Sequence, residues 1–302
     1  MALKDIKNKI KATERTHKVT RAMEAVSAVK MRKTQVAALA GRPYARAALS
    51  ILARLSGSAS VAHHPLAMKR EVKKSAFVVM TSDKGLAGAL NASVLKEVAH
   101  ALAARAKESV VVYAYGRKGE EYCRRRGYEI AQVHENKQDD IALRYIEVLA
   151  REVSRAFAKG EFDEVVCFYS NFKSTFEQVP TSCTLLPLSL AELTRLVADI
   201  APEKGKWSEP RALTAVPAYE VEPSPEEALE ALLPRLVAVS LYHMLLEAKA
   251  SEHSARMVAM KNASDKSEEI SEDLTRLYNK RRQAAITREV SEIVSGREAV
   301  AV

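Results

Sequence analysis

Cysteine is almost absent: the 302 residues hold three, Cys123, Cys167 and Cys183, an odd number with no Cys-x-x-Cys spacing. That excludes a disulfide framework and a thiolate zinc site, and predicts three reduced, structural thiols. Glycine and proline are scarce as well, ten of each, and their placement says more than their number. Residues 2 to 40 contain neither, and after Pro234 neither recurs until Gly296, about 61 residues later. No run of 18 apolar residues occurs. The greasiest stretch, Leu232 to Ala248, is interrupted by Pro234, Arg235, His243 and Glu247 and is expected to be a buried helix face rather than a membrane span. The start lacks an apolar signal-peptide core and includes Asp5 and Glu14, so the chain is expected to stay in the cytoplasm, where it is made. His63-His64-Pro65 has no further ligand nearby, and no metal site is expected there. With 47% hydrophobic and 28% charged residues the composition is that of a folded soluble protein, not of a disordered or collagenous one.

What is present is helix-forming sequence at both ends. Ser224-Pro225-Glu226-Glu227 is a capping box with proline at the first helical position, so a helix is predicted from Ser224 to Gly296, the next helix-stop residue. At about 1.5 Å per residue its breaker-free part alone spans roughly 90 Å. Residues 2 to about 40 have the same composition. Ile6, Ile10, Thr13, His17 and Thr20 follow the 4-3-4-3 spacing of a coiled-coil seam, although only the first two are large and apolar. Gly41 and Pro43 are expected to break or kink this helix, Tyr44 to Leu55 to resume it, and Ser56-Gly57-Ser58 to end it. In the C-terminal helix Ala248, Ser251, Ala255, Ala259 and Ala263 or Ser264 form a small-residue seam that Thr13, Thr20 and Ser27 can face.

Between these ends the pattern changes to short apolar runs alternating with amphipathic helices. Strands are predicted at Ser75–Thr81, Ser109–Tyr115, Glu129–His134 and Glu164–Tyr169, with an extended stretch at Thr175–Leu186. Helices are predicted at Gly88–Lys107, Arg117–Arg126, Asp139–Lys159 and Leu190–Ala198. Gly127 and Gly160 stop two of them, and Ala201–Pro217 is a loop leading through Tyr219-Glu220-Val221 to the last helix. Such alternation implies a mainly parallel sheet. The fold class is therefore α/β: a long antiparallel coiled coil of N- and C-terminal helices, residues 1–58 and 224–302, with an inserted Rossmann-like α/β domain at 72–217.

Two glycine-bearing turns resemble phosphate cradles. Thr81-Ser82-Asp83-Lys84-Gly85-Leu86-Ala87-Gly88 follows a strand and precedes a helix but matches neither GxxxxGK[ST] nor GxGxxG, and Tyr115-Gly116-Arg117-Lys118-Gly119 starts a helix with ordinary surface residues. Both are expected to be ligand-free turns. No catalytic, cofactor or metal constellation assembles from spacing. The net charge is +9, and it is unevenly placed. Residues 1–35 carry ten Lys/Arg against three acids, 226–274 ten acids against five bases, and 275–297 six bases against two acids. Asn279-Lys280-Arg281-Arg282-Gln283 thus lies near the end of a helix with an acidic middle, followed by Thr287, Glu289 and an apolar tip of Ile293, Val294, Val300 and Val302. An apolar tip with a basic collar needs a partner. From residues alone the rival readings are a coiled-coil nucleic-acid binder and an α/β enzyme using the Ser82–Gly88 turn.

Longer stretches carry a resemblance. Ile6-Lys7-Asn8-Lys9-Ile10, Thr16-His17-Lys18-Val19-Thr20-Arg21-Ala22-Met23, Gly116-Arg117-Lys118-Gly119, Asn171-Phe172-Lys173-Ser174-Thr175-Phe176 and Leu232-Leu233-Pro234-Arg235 occur along the chain. Ser251-Glu252-His253-Ser254-Ala255-Arg256-Met257-Val258-Ala259-Met260-Lys261-Asn262-Ala263 and Tyr278-Asn279-Lys280-Arg281-Arg282-Gln283-Ala284-Ala285-Ile286-Thr287-Arg288-Glu289 are the most specific. Together they resemble the γ subunits of F-type ATP synthases over nearly the whole chain. Departures are Gly85-Leu86-Ala87-Gly88-Ala89-Leu90-Asn91 in place of a Gly-Leu-Cys-Gly-Gly-Leu-Asn-like turn, and Gly296-Arg297 in place of a Gly-Ala pair. No cysteine-bearing insertion of the chloroplast type lies around residues 195 to 215, so the resemblance implies a bacterial type without thiol regulation.

The resemblance implies a non-catalytic central rotor that binds no nucleotide, cofactor, metal or nucleic acid. One copy per complex would have the helix pair on the axis of three α and three β subunits and the α/β domain below, with ε on the c-ring. It would turn with proton or sodium flow and drive each β in succession through binding, synthesis and release of ATP. The implied location is the cytoplasmic face of the bacterial inner membrane, as a peripheral protein. Contacts with β are implied around Met23 and Arg256 at one level, and around Arg282, Gln283, Thr287 and Glu289 at another.

Overall fold

The computed structural model describes residues 2–55, 64–136, 143–189 and 224–300. The expected Leu190–Ala198 helix, the Ala201–Pro217 loop, the Ser56-Gly57-Ser58 stop, His63 and Val302 lie outside the described residues. In chain order the elements are α1 (Leu3–Leu55), β1 (Ser75–Met80), α2 (Leu90–Ala103), β2 (Val110–Tyr115), α3 (Arg117–Arg125), β3 (Glu129–His134), α4 (Leu143–Ala158), β4 (Glu164–Phe172), β5 (Gln178–Leu186) and α5 (Pro225–Val300). The chain divides into two compact units, Met1–Ser27 with Arg256–Val302, and Ala28–Ala255, and α1 and α5 each run through both. The start of α1 is thus grouped with the second half of α5, as an antiparallel pair requires.

In the first unit both helices carry the heptad seam. Positions 6, 10, 13, 17, 20, 24 and 27 of α1 are less exposed than most of their neighbours, as are 260, 264, 267, 271, 274, 278 and 285 of α5. Ile6 is fully buried, and Thr20, Ser27, Ser264 and Ser267 are buried although polar. That is tolerated because each of three hydroxyls bonds its own helix: Thr20 donates to the Thr16 and His17 carbonyls, Ser27 to that of Met23 and Ser267 to that of Ala263. Small, internally satisfied side chains let two helices approach closely without orphaned polar groups. His17 adds a direct link, with Nδ1 at 3.0 Å from the Ser264 carbonyl oxygen and 3.1 Å from its hydroxyl.

An expected break and an expected stop are overruled. Gly41 and Pro43 lie inside α1 and Gly296 inside α5, and Pro234 is internal to α5 as well. A proline in a helix removes one hydrogen bond at a cost of about 3 kcal/mol and a glycine costs about 1, both local penalties. Long helical sequence on each side of the proline carries the helix through. The start of α5 does form as expected, with the Ser224 hydroxyl accepting from the Glu227 amide at 3.2 Å.

In the second unit a five-stranded sheet has the order β3-β2-β1-β4-β5. The β3–β2, β2–β1 and β1–β4 pairs are parallel and β4–β5 is antiparallel. Central β1 and β2 are buried at every position, whereas edge strand β3 alternates exposed and half-buried. A parallel sheet covered on both faces needs such continuous apolar runs. One face, with Ala76, Val78, Met80, Tyr113 and Cys167, packs with Ile146, Leu149, Val153 and Phe157 of α4 and Leu229, Leu233, Val237, Leu241 and Leu245 of α5. The other, with Phe77, Val79, Val112 and Phe168, packs with Val94, Val98 and Leu102 of α2 and Cys123 of α3. The apolar stretch Leu232–Ala248 is accordingly a core-facing helix. All three cysteines are buried and outside any disulfide, and burial holds the Cys167 thiol well above its usual range.

Candidate functional site

The exposed end of α5 is the first candidate. At about 100° per residue, Ile286, Val290 and Ile293 fall within roughly 60° of one another, on a side away from the seam residues Leu274, Tyr278 and Ala285. They are 50%, 54% and 71% exposed, and neighbouring Val294 is 51% exposed. Arg282 and Glu289 border this strip on one side and Gln283 and Thr287 on the other, all four exposed. The structure therefore gathers four of the six expected contact residues around one apolar strip. The Thr287 hydroxyl is used locally, donating to the Gln283 carbonyl at 3.0 Å. Met23 is half-buried and Arg256 buried, so neither belongs to this exposed strip. A half-turn of isolated aliphatic side chains would be ordinary surface; four of them contiguous, with polar borders, form a surface shaped for another protein.

The two cradle-like turns are filled by the chain's own groups. The Ser82 amide donates to Asn91 Oδ1 at 3.0 Å, Asn91 Nδ2 donates to the Ser82 hydroxyl at 2.7 Å, and that hydroxyl donates to the Lys84 carbonyl at 2.6 Å. At the start of α3, where an anion would sit, the Asp83 carboxylate is already in place. Its Oδ1 accepts from the Arg117 amide and its Oδ2 from the Asn136 amide, both at 2.8 Å. A carboxylate at a helix N-terminus satisfies the free amides and complements the dipole as a phosphate would. Tyr115 lies close by, its hydroxyl pushed up to about 12 by burial and then by the Asp83 charge. Asp83→Ala is expected to cost about 1–2 kcal/mol, since two charge-assisted bonds go at once, and Asp83→Asn about half as much. Thermal melting of the two variants checks the order.

This network reaches α5. Asn136 Nδ2 donates to the Thr81 carbonyl at 2.7 Å, and the Asn136 carbonyl accepts from Lys249 Nζ at 2.5 Å. Lys249 is 2% exposed and lies 3.7 Å from Glu252, whose side chain is 7% exposed. Sequence reasoning missed this hub. The available signal was Lys249 and Glu252 following directly on an apolar helix face, where a charge is either solvated or paired.

No group of His, Cys, Asp and Glu side chains among the described residues is arranged to hold a metal ion. The family profile described as ATP synthase matches residues 2–300. The ATP synthase gamma chain of Staphylococcus saprophyticus is 37% identical over 297 residues, covering 98% of each chain, and that of Opitutus terrae is 40% identical over 298 residues, covering 99% of this chain and 98% of its own. Among solved structures, a chain of the Tetrahymena thermophila mitochondrial ATP synthase central stalk and c-ring is 26% identical with a TM-score of 0.57, over 82% of this chain and 99% of that one. A chain of the Euglena gracilis mitochondrial ATP synthase shares the fold, with a TM-score of 0.65 at 17% identity over 99% of this chain and 94% of that one. From its first helix to its last, the chain belongs to the ATP synthase gamma-chain family.

Proposed function

We propose that this chain is the central rotor of an F-type ATP synthase, one copy per complex, with its helix pair inside a ring of three α and three β subunits. Its α/β domain, with ε, stands on the c-ring. The observation that carries this reading is α5 itself: one unbroken helix is built into the sheet core at Leu229–Leu245 and bears an exposed apolar strip at Ile286–Val294. A single helix that is core at one end and contact surface at the other can transmit rotation between two bodies. An asymmetric shaft offers each of three β subunits a different face, which holds their nucleotide sites in different states. Ion flow through the c-ring turns it and drives ATP synthesis, and hydrolysis reverses it. The chain itself does no bond chemistry, and the internally filled turns at Ser82 and Arg117 support that reading. It acts at the cytoplasmic face of the bacterial inner membrane, with protons or sodium as the coupling ion.

Met23 and Arg256 form a lower contact with β, and Arg282, Gln283, Thr287 and Glu289 an upper one. Co-expression with α and β subunits tests the assignment: a stoichiometric, ATPase-active complex is expected, and free chain bound to nucleic acid would sink it. Arg282→Ala with Gln283→Ala is expected to leave assembly intact while ATP synthesis falls by about threefold to tenfold, the two truncated contacts together being worth about 1 kcal/mol. Unchanged synthesis and torque in the double variant would count against the upper contact.

A further inference from the structure

Along α5 the contact with the sheet changes character near Ala248. From Leu229 to Ala248 it is apolar burial, which is non-directional and opposes separation more than it opposes turning. Beginning at Glu247, hydrogen bonds with fixed partners take over. Glu247 Oε2 accepts from the Phe172 amide at 3.1 Å, the Ser251 hydroxyl donates to the Ser170 carbonyl at 3.0 Å, and the Ser254 hydroxyl donates to the Thr175 carbonyl at 2.7 Å. Gln178 Nε2 donates to the Ser254 hydroxyl at 3.4 Å. Residues 247, 251 and 254 are four and three apart, so they form one stripe along the helix, and their partners belong to the β4–β5 hairpin. Ser251 and Ser254 are fully buried.

Lys249 lies about 200° around the helix from both Glu247 and Ser251, and its ammonium is bonded to the Asn136 carbonyl beyond the end of β3. The helix is therefore held on two sides, by the β4–β5 hairpin and by the segment that follows β3. Turning α5 by about 20° would move a group about 5 Å from its axis by about 1.7 Å, which breaks a hydrogen bond.

We propose that these bonds are the torque lock of the rotor: Glu247, Ser251 and Ser254 on the β4–β5 hairpin, with Lys249 on Asn136, pass rotation of the α/β domain into α5. This rests on the rotor reading. Apolar packing holds the helix against the sheet, and the lock keeps it from slipping under load.

The test uses the complete complex carrying this chain, reconstituted in liposomes and energised with ATP. Ions pumped per ATP hydrolysed is the quantity read. Ser251→Ala with Ser254→Ala is expected to keep hydrolysis within about twofold of the parent and to pump at least about threefold fewer ions per ATP. A purely structural role lowers both in step with the amount of assembled complex, and an unchanged ratio overturns the lock. If the double variant does not assemble, Glu247 decides. Glu247→Gln keeps an acceptor for the Phe172 amide and should hold the parent ratio, whereas Glu247→Ala should lower it; equal ratios overturn the lock. Absence of ATP-driven pumping with the unaltered chain sinks the rotor reading and the lock with it, while normal pumping with indifferent variants sinks the lock alone.

Discussion

Gly116→Ala is expected to lower the melting temperature by about 10 °C or more, or to prevent soluble expression altogether, at roughly 2–4 °C per kcal/mol for a chain of this size. Gly116 joins β2 to α3 with φ at 106°, a conformation closed to residues with a side chain. A Cβ there would lie 2.0 Å from the Thr81 carbonyl oxygen and 2.6 Å from its carbon, which is backbone that cannot rotate away. Relief by moving Thr81 is costly, because its amide donates to the Tyr115 carbonyl, its hydroxyl accepts from the Gly119 amide, and Asn136 holds its carbonyl. The strained φ alone costs about 1–3 kcal/mol, and the clash adds to it. A melting temperature within about 3 °C of the parent would show that β1 and α3 do not approach as closely as described.

Lys249→Met is expected to destabilise the second unit by about 3–5 kcal/mol, the usual cost of removing one member of a buried pair. Methionine fills much of the volume, so the loss is electrostatic. The Asn136 carbonyl loses its donor and the Glu252 carboxylate stays buried without that ammonium. Adding Glu252→Gln removes the buried carboxylate charge that faced the ammonium and should recover at least about half of the loss. Chemical denaturation of the single and double variants measures this. A double variant no better than Lys249→Met would mean that the pair is not coupled across 3.7 Å.

Much of this architecture was legible in the sequence because it is periodic. The spacing of Ile6, Ile10, Thr13, His17 and Thr20, with Ser27, marked the seam of α1, and the apolar runs located the strands of the sheet to within a few residues. Gly127 ends α3 as expected, at φ 70°. Of the break or kink expected at Gly41 and Pro43, no break occurs, and the stop at Gly296 was not met, because a local penalty of a few kcal/mol does not end a helix with favourable sequence around it. Around the exposed strip, Arg282, Gln283, Thr287 and Glu289 came from the resemblance. That Ile286 and Val290 join Ile293 and Val294 between them emerged from exposure.

The long helix at each end was set by the sequence itself, by long helix-forming runs and, in α1, a heptad seam of small and hydroxylated side chains. Where α5 meets the sheet was not, since of two residues expected to face α1, Ala248 packs in the sheet core and Ser251 bonds the Ser170 carbonyl. The tertiary structure alone decided what Asp83 and Lys249 do. Asp83, in a turn that resembled a phosphate cradle, closes the start of α3, and Lys249 binds a carbonyl 113 residues away. Periodicity reports which face of an element is buried, whereas the partner of a buried polar group depends on which distant segments the fold brings together. The cradle-like turns are therefore scaffold, and the apolar strip Ile286, Val290, Ile293 and Val294 of α5 is exposed.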